Sequence, residues 1–256
     1  MGDNTLDIVD VRDTGISADN YARLEEVMRN PNGIILVTGP TGSGKSTTIY
    51  AVLHQLSTPN VNVVTIEDPV EYLHPHKRCM VNQREIGRDA PDFAQALRSA
   101  LREDPDVILV GEMRDLETIS AAVTAAETGH LVISTLHTLG ASNTIDRIVD
   151  AFPPEQQQQI RTQLALVLEG VVSQQLLPTV RGDIVPAFEI MRLNSAIRTM
   201  IREAKLHQVE SVILSGAKEG MVTMDTSLKR LYDEGVISRE TAVRYSTNPE
   251  RMESKV

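Results

Sequence analysis

The sequence predicts an α/β protein built on a mainly parallel sheet, with a helical portion toward its C-terminal end. Three observations lead there. Four nearly all-apolar segments, GIILVT, VNVVTI, DVILV and HLVIST, alternate with helical stretches. Strands apolar throughout belong to a sheet covered on both faces. A glycine-rich turn joins the first of them to a helix, and after about Phe152 the pattern changes to short helices.

Taken in order, the first dozen residues contain LDIVDV, whose loose alternation suggests an extended segment. SADNYARLEEVMRN reads as a helix capped by Ser17 or Asp19, with Tyr21, Leu24, Val27 and Met28 on one face. Asn30-Pro31-Asn32-Gly33 ends it. The first strand, GIILVT, is followed by a helix from about Lys45 to Leu56, and VNVVTI is the second strand. Residues 68–90 are polar and loop-like, with a short strand at CMVNQ. PDFAQALRSALRED is helical with Pro91 near its start. DVILV is the third core strand. RDLETISAAVTAAETG is a helix capped by Asp115 and ended by Gly129, and HLVIST is the fourth strand. FPPEQQQQIRTQLALVLEGVVSQQLLP opens a helical region, with a short strand pair near VVSQQLL and DIVPAFEIM, and the QQQQ run forms a polar helix face. Four short helices follow from Asn194 to about Ser246. The chain therefore divides into a lead-in segment and helix (1–32), an α/β core (33–151) and a mainly helical subdomain (152–256).

The 256 residues suffice for one large domain or a domain with an appendage. Hydrophobic residues make up 41% but aromatics only 3%, so the core is aliphatic. A net charge of −10 argues against a nucleic-acid binder, which carries a basic face. One cysteine, Cys79, excludes an internal disulfide and a Cys-rich zinc site, and suggests a reducing compartment. No apolar run approaches twenty residues and no signal peptide is visible, so a membrane role would come through a partner.

GPTGSGKST, residues 39–47, matches the phosphate-loop pattern G-x-x-x-x-G-K-[ST] without a mismatch. It lies after a strand and opens a helix, as its mechanism requires. Gly39, Gly42 and Gly44, with Pro40, Thr41 and Ser43 between them, let the backbone curl so that N–H groups face phosphates. The helix N-terminus adds partial positive charge. Lys45 reaches the β- and γ-phosphates, Ser46 suits Mg²⁺, and Thr47 closes the motif.

Carboxylates gather at the same strand ends. IEDPVEY places Glu67, Asp68 and Glu71 around Pro69, and DVILVGE ends in Glu112. Ligands bind at the carboxyl ends of parallel strands. One carboxylate would handle water and others Mg²⁺; a solvated acidic loop is the alternative. His137, just past the fourth strand, points toward the nucleotide, whereas His130 opens that strand at the opposite end and reads as structural. His54, His74, His76 and His207 show no metal-ligand spacing. Among Arg84, Arg88, Arg98, Arg102 and Arg114, some could face a neighbour's nucleotide, the alternative being surface ion pairs.

GPTGSGKSTT, IEDPVEY, VNQREIG, ALRSALREDPDVILVGEMRDLETI, TAAETGHLV and STLHT together resemble the ATPases of type II secretion and type IV pili, over nearly the whole chain. The resemblance implies a RecA-like P-loop ATPase core hydrolysing ATP with Mg²⁺. It makes Glu112 the Walker B carboxylate, Glu71 the catalytic base beside Asp68, and His130 and His137 members of a histidine box, so it gives His130 more weight than geometry does. AIRTMIRE, residues 196–203, resembles a motif of the pilus retraction ATPases. Ala196, Ile197, Arg198, Ile201, Arg202 and Glu203 are thereby tied to retraction, with core packing the alternative for Ile197, Met200 and Ile201. The family also implies a hexamer acting in the cytoplasm on an inner-membrane platform protein.

Three departures qualify this. The family carries a PAS-like domain before the core, and only about thirty residues precede Gly33 here. GISADNYARLEEVMRNPNGIILVTGPTGSGKSTTIY is more similar to the extension and secretion ATPases. Those enzymes have a four-Cys zinc site, and this chain has one Cys. Pilus retraction is thus the first expectation, with pilus extension or secretion assembly second. A nucleotide-binding regulatory subunit with little hydrolysis is third.

Overall fold

A computed structural model describes residues 15–56, 58–74 and 79–256. The LDIVDV segment and His76 lie outside the described residues. A helix, α1 (Ala18–Met28), comes first; the Ser17 hydroxyl accepts from the Asn20 N–H and caps it. Then β1 (Gly33–Thr38), α2 (Lys45–Leu56), β2 (Asn62–Glu67), β3 (Met80–Glu85), α3 (Phe93–Ala100), β4 (Val107–Val110), α4 (Leu116–Glu127) and β5 (Leu131–Leu136) follow. Asp115 caps α4 as expected, accepting from Thr118 N–H, and the structure adds a cap on α3, where Asp92 accepts from Gln95 N–H. The chain continues through α5 (Ala141–Asp150), α6 (Pro154–Val167), β6 (Leu168–Pro178) and β7 (Ile184–Arg192). It ends with α7 (Ser195–Arg202), α8 (Val209–Ser215), α9 (Met224–Asp233), α10 (Arg239–Tyr245) and α11 (Pro249–Glu253).

Seven strands form one sheet in the order β3-β2-β4-β5-β1-β6-β7, parallel except for the β6–β7 pair. Alternate residues feed opposite faces, as strand geometry requires. Ile34, Leu36, Val64, Ile66, Ile108, Val110 and Val132 pack under α3 to α8. Ile35, Val37, Val63, Val107, Leu109 and Ile133 pack under α1 and α2. Burial on both faces is why these strands carry no polar alternation. The alanines of α4, Ala121, Ala122, Ala125 and Ala126, let that helix lie close on the sheet.

Two expectations need correction. The strand pair expected to be short is a hairpin of 11 and 9 residues, and it completes the central sheet: β6 pairs in parallel with β1. The division at residue 152 therefore falls inside the sheet, and the helical part begins after Arg192. The polar centre of β6, Ser173-Gln174-Gln175, hid the strand's depth; all three are buried. A separate aliphatic cluster, with Leu177, Ala187, Met224, Leu228, Ile237 and Met252, seats α9 to α11 against the hairpin. No helix among the described residues is long and apolar enough to cross a membrane.

Candidate active site

The carboxyl ends of β1, β2, β4 and β5 meet at one edge of the sheet, and the predicted site residues divide around that edge. The phosphate loop leaves β1 at Gly39 and enters α2 at Lys45. Gly39 has φ 144°, and a Cβ there would run into the Gln174 carbonyl of β6 and the Ser43 hydroxyl. Only glycine fits so close an approach. Gln174 also accepts from the Thr48 hydroxyl at 2.7 Å, so β6 forms a wall behind the loop. Sequence reasoning did not single out Gln174, and no local pattern marks it.

Lys45 is buried, and its Nζ donates to Gly39 O (2.8 Å) and Pro40 O (3.0 Å). It also stands 3.4 Å from His137 Nδ1. Burial pushes its pKa down, opposed by the charges of Glu112 and Glu71. The Ser43 hydroxyl is buried without a hydrogen-bond partner. A desolvated cation beside an orphaned hydroxyl, in a loop of N–H groups, fits the phosphates of a nucleotide. Pro40, Thr41, Gly42 and Thr47 form the exposed rim, and Ser46 faces the adjoining cleft.

Glu112 follows Gly111 at the end of β4. The Gly111 N–H donates to Ile66 O at 2.8 Å, bringing β4 tight against β2. Glu112 pairs with Arg114 Nη2 at 2.5 Å and lies 3.5 Å from His137 Nε2. The bond to Glu112, then its charge, pushes the Arg114 pKa up. His137 thus links the loop lysine to the strand-end carboxylate. Asp68 and Glu71 are exposed, and with Ser46, Glu67, Glu112 and Arg114 they line a cleft of about 480 Å³. Mg²⁺ takes one or two protein oxygens beside phosphate and water. Ser46 and Glu112 across this cleft fit that demand.

Glu67, which the sequence groups with Asp68 and Glu71, differs from both in being buried. Its carboxylate accepts from the Tyr50 hydroxyl, from Thr65 Oγ1 at 2.6 Å and from Gln83 Nε2 at 3.3 Å. Burial, then the bond to Glu67, pushes the Tyr50 pKa far up. These bonds hold the end of β2, from which Asp68 and Glu71 project.

Other predicted residues lie elsewhere. The His130 Nδ1 lies 2.9 Å from Ala125 O, at the far end of β5 from His137, so the structure does not bring the two histidines together. Arg84 pairs with Glu103, while Arg88, Arg98 and Arg102 are exposed. In α7, Ile197 and Ile201 are fully buried and Met200 packs on the core. Arg198 donates to the carbonyls of Ala165, Leu166 and Leu168 and to Glu169, tying down the end of α6. Ala196, Arg202 and Glu203 are the exposed part of that motif.

With this geometry in view, the comparisons are specific. The family described as Type II/IV secretion system protein matches residues 1–199. The chain belongs to that family. This secretion-system family member is 55% identical over 231 residues to the type IV pilus retraction ATPase PilT of Pseudomonas aeruginosa, covering 90% of this chain and 66% of the relative. It is 51% identical over 230 residues to the twitching motility protein of Neisseria gonorrhoeae, covering 89% and 62%. A solved structure of the pilus retraction motor PilT with bound ADP superposes at a TM-score of 0.88 with 48% identity, over 97% of this chain and 70% of that one. The chain thus spans less than two thirds of the length of these two curated relatives. The expected α/β fold with a mainly parallel sheet holds.

Proposed function

We propose that this chain hydrolyses ATP with Mg²⁺ and that the hydrolysis powers retraction of a type IV pilus, as the similarity to PilT suggests. The observation that carries the reading is the contact chain Lys45–His137–Glu112 at the mouth of a carboxylate-lined cleft. Lys45 and the loop N–H groups hold the phosphates, and Ser43 donates its free hydroxyl to them. Glu71 orients and deprotonates the attacking water. His137 registers the terminal phosphate and passes its position to Glu112. Ser46 and Glu112 would hold Mg²⁺, which neutralises charge on the phosphate oxygens. Arg114 exchanges Glu112 for negative charge that builds during transfer, a role in which a guanidinium is worth about 10³–10⁵ in rate. The chain works in the cytoplasm within a homohexamer whose motion acts on an inner-membrane platform protein.

The test is ATPase rate against protein concentration, with molar mass by light scattering on the same samples. The expected result is a rate per chain that rises as the chain assembles. A flat, near-zero rate from a monomer that still binds nucleotide would refute the motor and leave a binding subunit.

A further inference from the structure

One buried carboxylate takes no part in the chemistry above. Glu189, on β7, lies between the first residues of two helices from different parts of the chain. One oxygen accepts from the Ala141 N–H at 2.9 Å, where α5 begins. The other accepts from the Met224 N–H at 3.3 Å, where α9 begins. Both helix ends carry partial positive charge that favours an anion. Burial pushes the Glu189 pKa up, the two N–H bonds oppose that shift, and Glu210 and Asp225 add to it.

The α5 end of this bridge belongs to the nucleotide edge. His137 lies three residues before Gly140. The Gly140 N–H donates to Ser173 Oγ at 3.0 Å, and Ser173 is the cross-strand partner of Glu189. Thr138 and Thr144 join hydroxyls at 2.7 Å, and Thr144 donates to Gly140 O at 2.8 Å, so the segment from Thr138 to the first turn of α5 is cross-braced. The α9 end belongs to the helices seated on the hairpin.

We propose that Glu189 is a positioning residue that couples the His137 loop to α9, so that occupancy of the phosphate site changes the ordering of the first turn of α9. The proposal rests on the nucleotide reading and extends it to a residue that does not line the phosphate site.

Hydrogen exchange by mass spectrometry, with and without Mg-ADP, tests it on peptides spanning 138–146 and 222–230. In the unsubstituted chain both peptides are expected to slow by about fivefold or more, the lower end of ordinary coupling between sites. Glu189→Gln is close to isosteric and its amide oxygen can satisfy only one of the two N–H groups. It is expected to bind Mg-ADP and protect 138–146 while losing the response at 222–230. A purely structural role would raise exchange in α9 equally with and without nucleotide. An α9 peptide indifferent to nucleotide in the unsubstituted chain, or a response retained in Glu189→Gln, overturns the proposal. Ser173→Ala frees the Gly140 N–H and leaves Glu189 in place. It should keep the α9 response, whose loss would route the coupling through β6 and overturn the role of Glu189 even where Glu189→Gln does not fold. If the unsubstituted chain binds no Mg-ADP, the nucleotide reading itself fails and the coupling falls with it.

Discussion

Replacing Gly111 by alanine probes why a glycine precedes the strand-end glutamate. A Cβ built there would stand 3.1 Å from the Ile66 carbonyl oxygen, 3.4 Å from Glu67 Cα and 3.6 Å from Phe93 Cε1. Gly111 is not among the glycines with positive φ, so the obstacle is space and not backbone conformation. The nearest atom belongs to β2 and is already held by the Gly111 N–H at 2.8 Å. Strand β2 must therefore shift by a few tenths of an ångström. Overpacking of this kind costs about 1–3 kcal/mol. For a chain of this size that lowers Tm by about 2–12 °C. Glu112 moves with the backbone, and a 1 Å misplacement costs about 10²-fold in rate, so a loss of about tenfold in kcat is expected. Calorimetry and steady-state ATPase on Gly111→Ala read both quantities. A Tm within a degree of the parent together with a full rate would refute the claim that close approach to β2 sets the position of Glu112.

Other outcomes follow from the same geometry. Glu71→Gln should bind nucleotide with little change and lose turnover, as nucleotide titration and single-turnover assays would show; retained turnover removes Glu71 from the role of base. Arg198→Ala strips the carbonyls at the end of α6 and leaves Glu169 unpaired, so it should destabilise by about 2–3 kcal/mol. Arg202→Ala, four residues on and exposed, should change stability by less than about 0.5 kcal/mol and expose any functional share of AIRTMIRE in a retraction assay. Burial lowers the Lys45 pKa, so between the lowered value and 10.5 the folded chain binds fewer protons than the unfolded one, and this residue's contribution to stability rises with pH across that window. Phosphate restores the cation. Nucleotide binding should therefore take up protons at alkaline pH and weaken as pH rises. Calorimetry in buffers of different ionisation enthalpy measures the uptake, which Lys45→Ala should abolish.

Much of this was legible because it is local. The phosphate loop, the helix caps at Ser17 and Asp115, and the carboxylates at strand ends are set by residues within a few positions of one another. The His130 and His137 difference was also legible, since strand polarity alone puts them at opposite ends of β5. What stayed hidden depends on distance along the chain. Gln174 looks like a surface residue until Thr48, 126 positions earlier, gives it a buried partner. Gln175 likewise donates to Tyr245 O at 3.3 Å. Glu189 is satisfied by backbone N–H groups 48 and 35 residues away. Buried polar groups with remote partners have the composition of a loop and the position of a core. A pattern of apolar residues therefore undercounts the strand that carries them.

The hairpin's place beside β1 decides how small a working piece of this chain can be. A fragment cut near residue 151 keeps every nucleotide motif in its sequence yet removes the parallel neighbour of Ile34 to Thr38. It would present a bare apolar strand edge, which invites chains to stick to one another. It would also strip the back wall from the phosphate loop. An excerpt meant for nucleotide studies must therefore keep the hairpin and the helices whose apolar residues pack with it, and cannot stop at the last nucleotide motif.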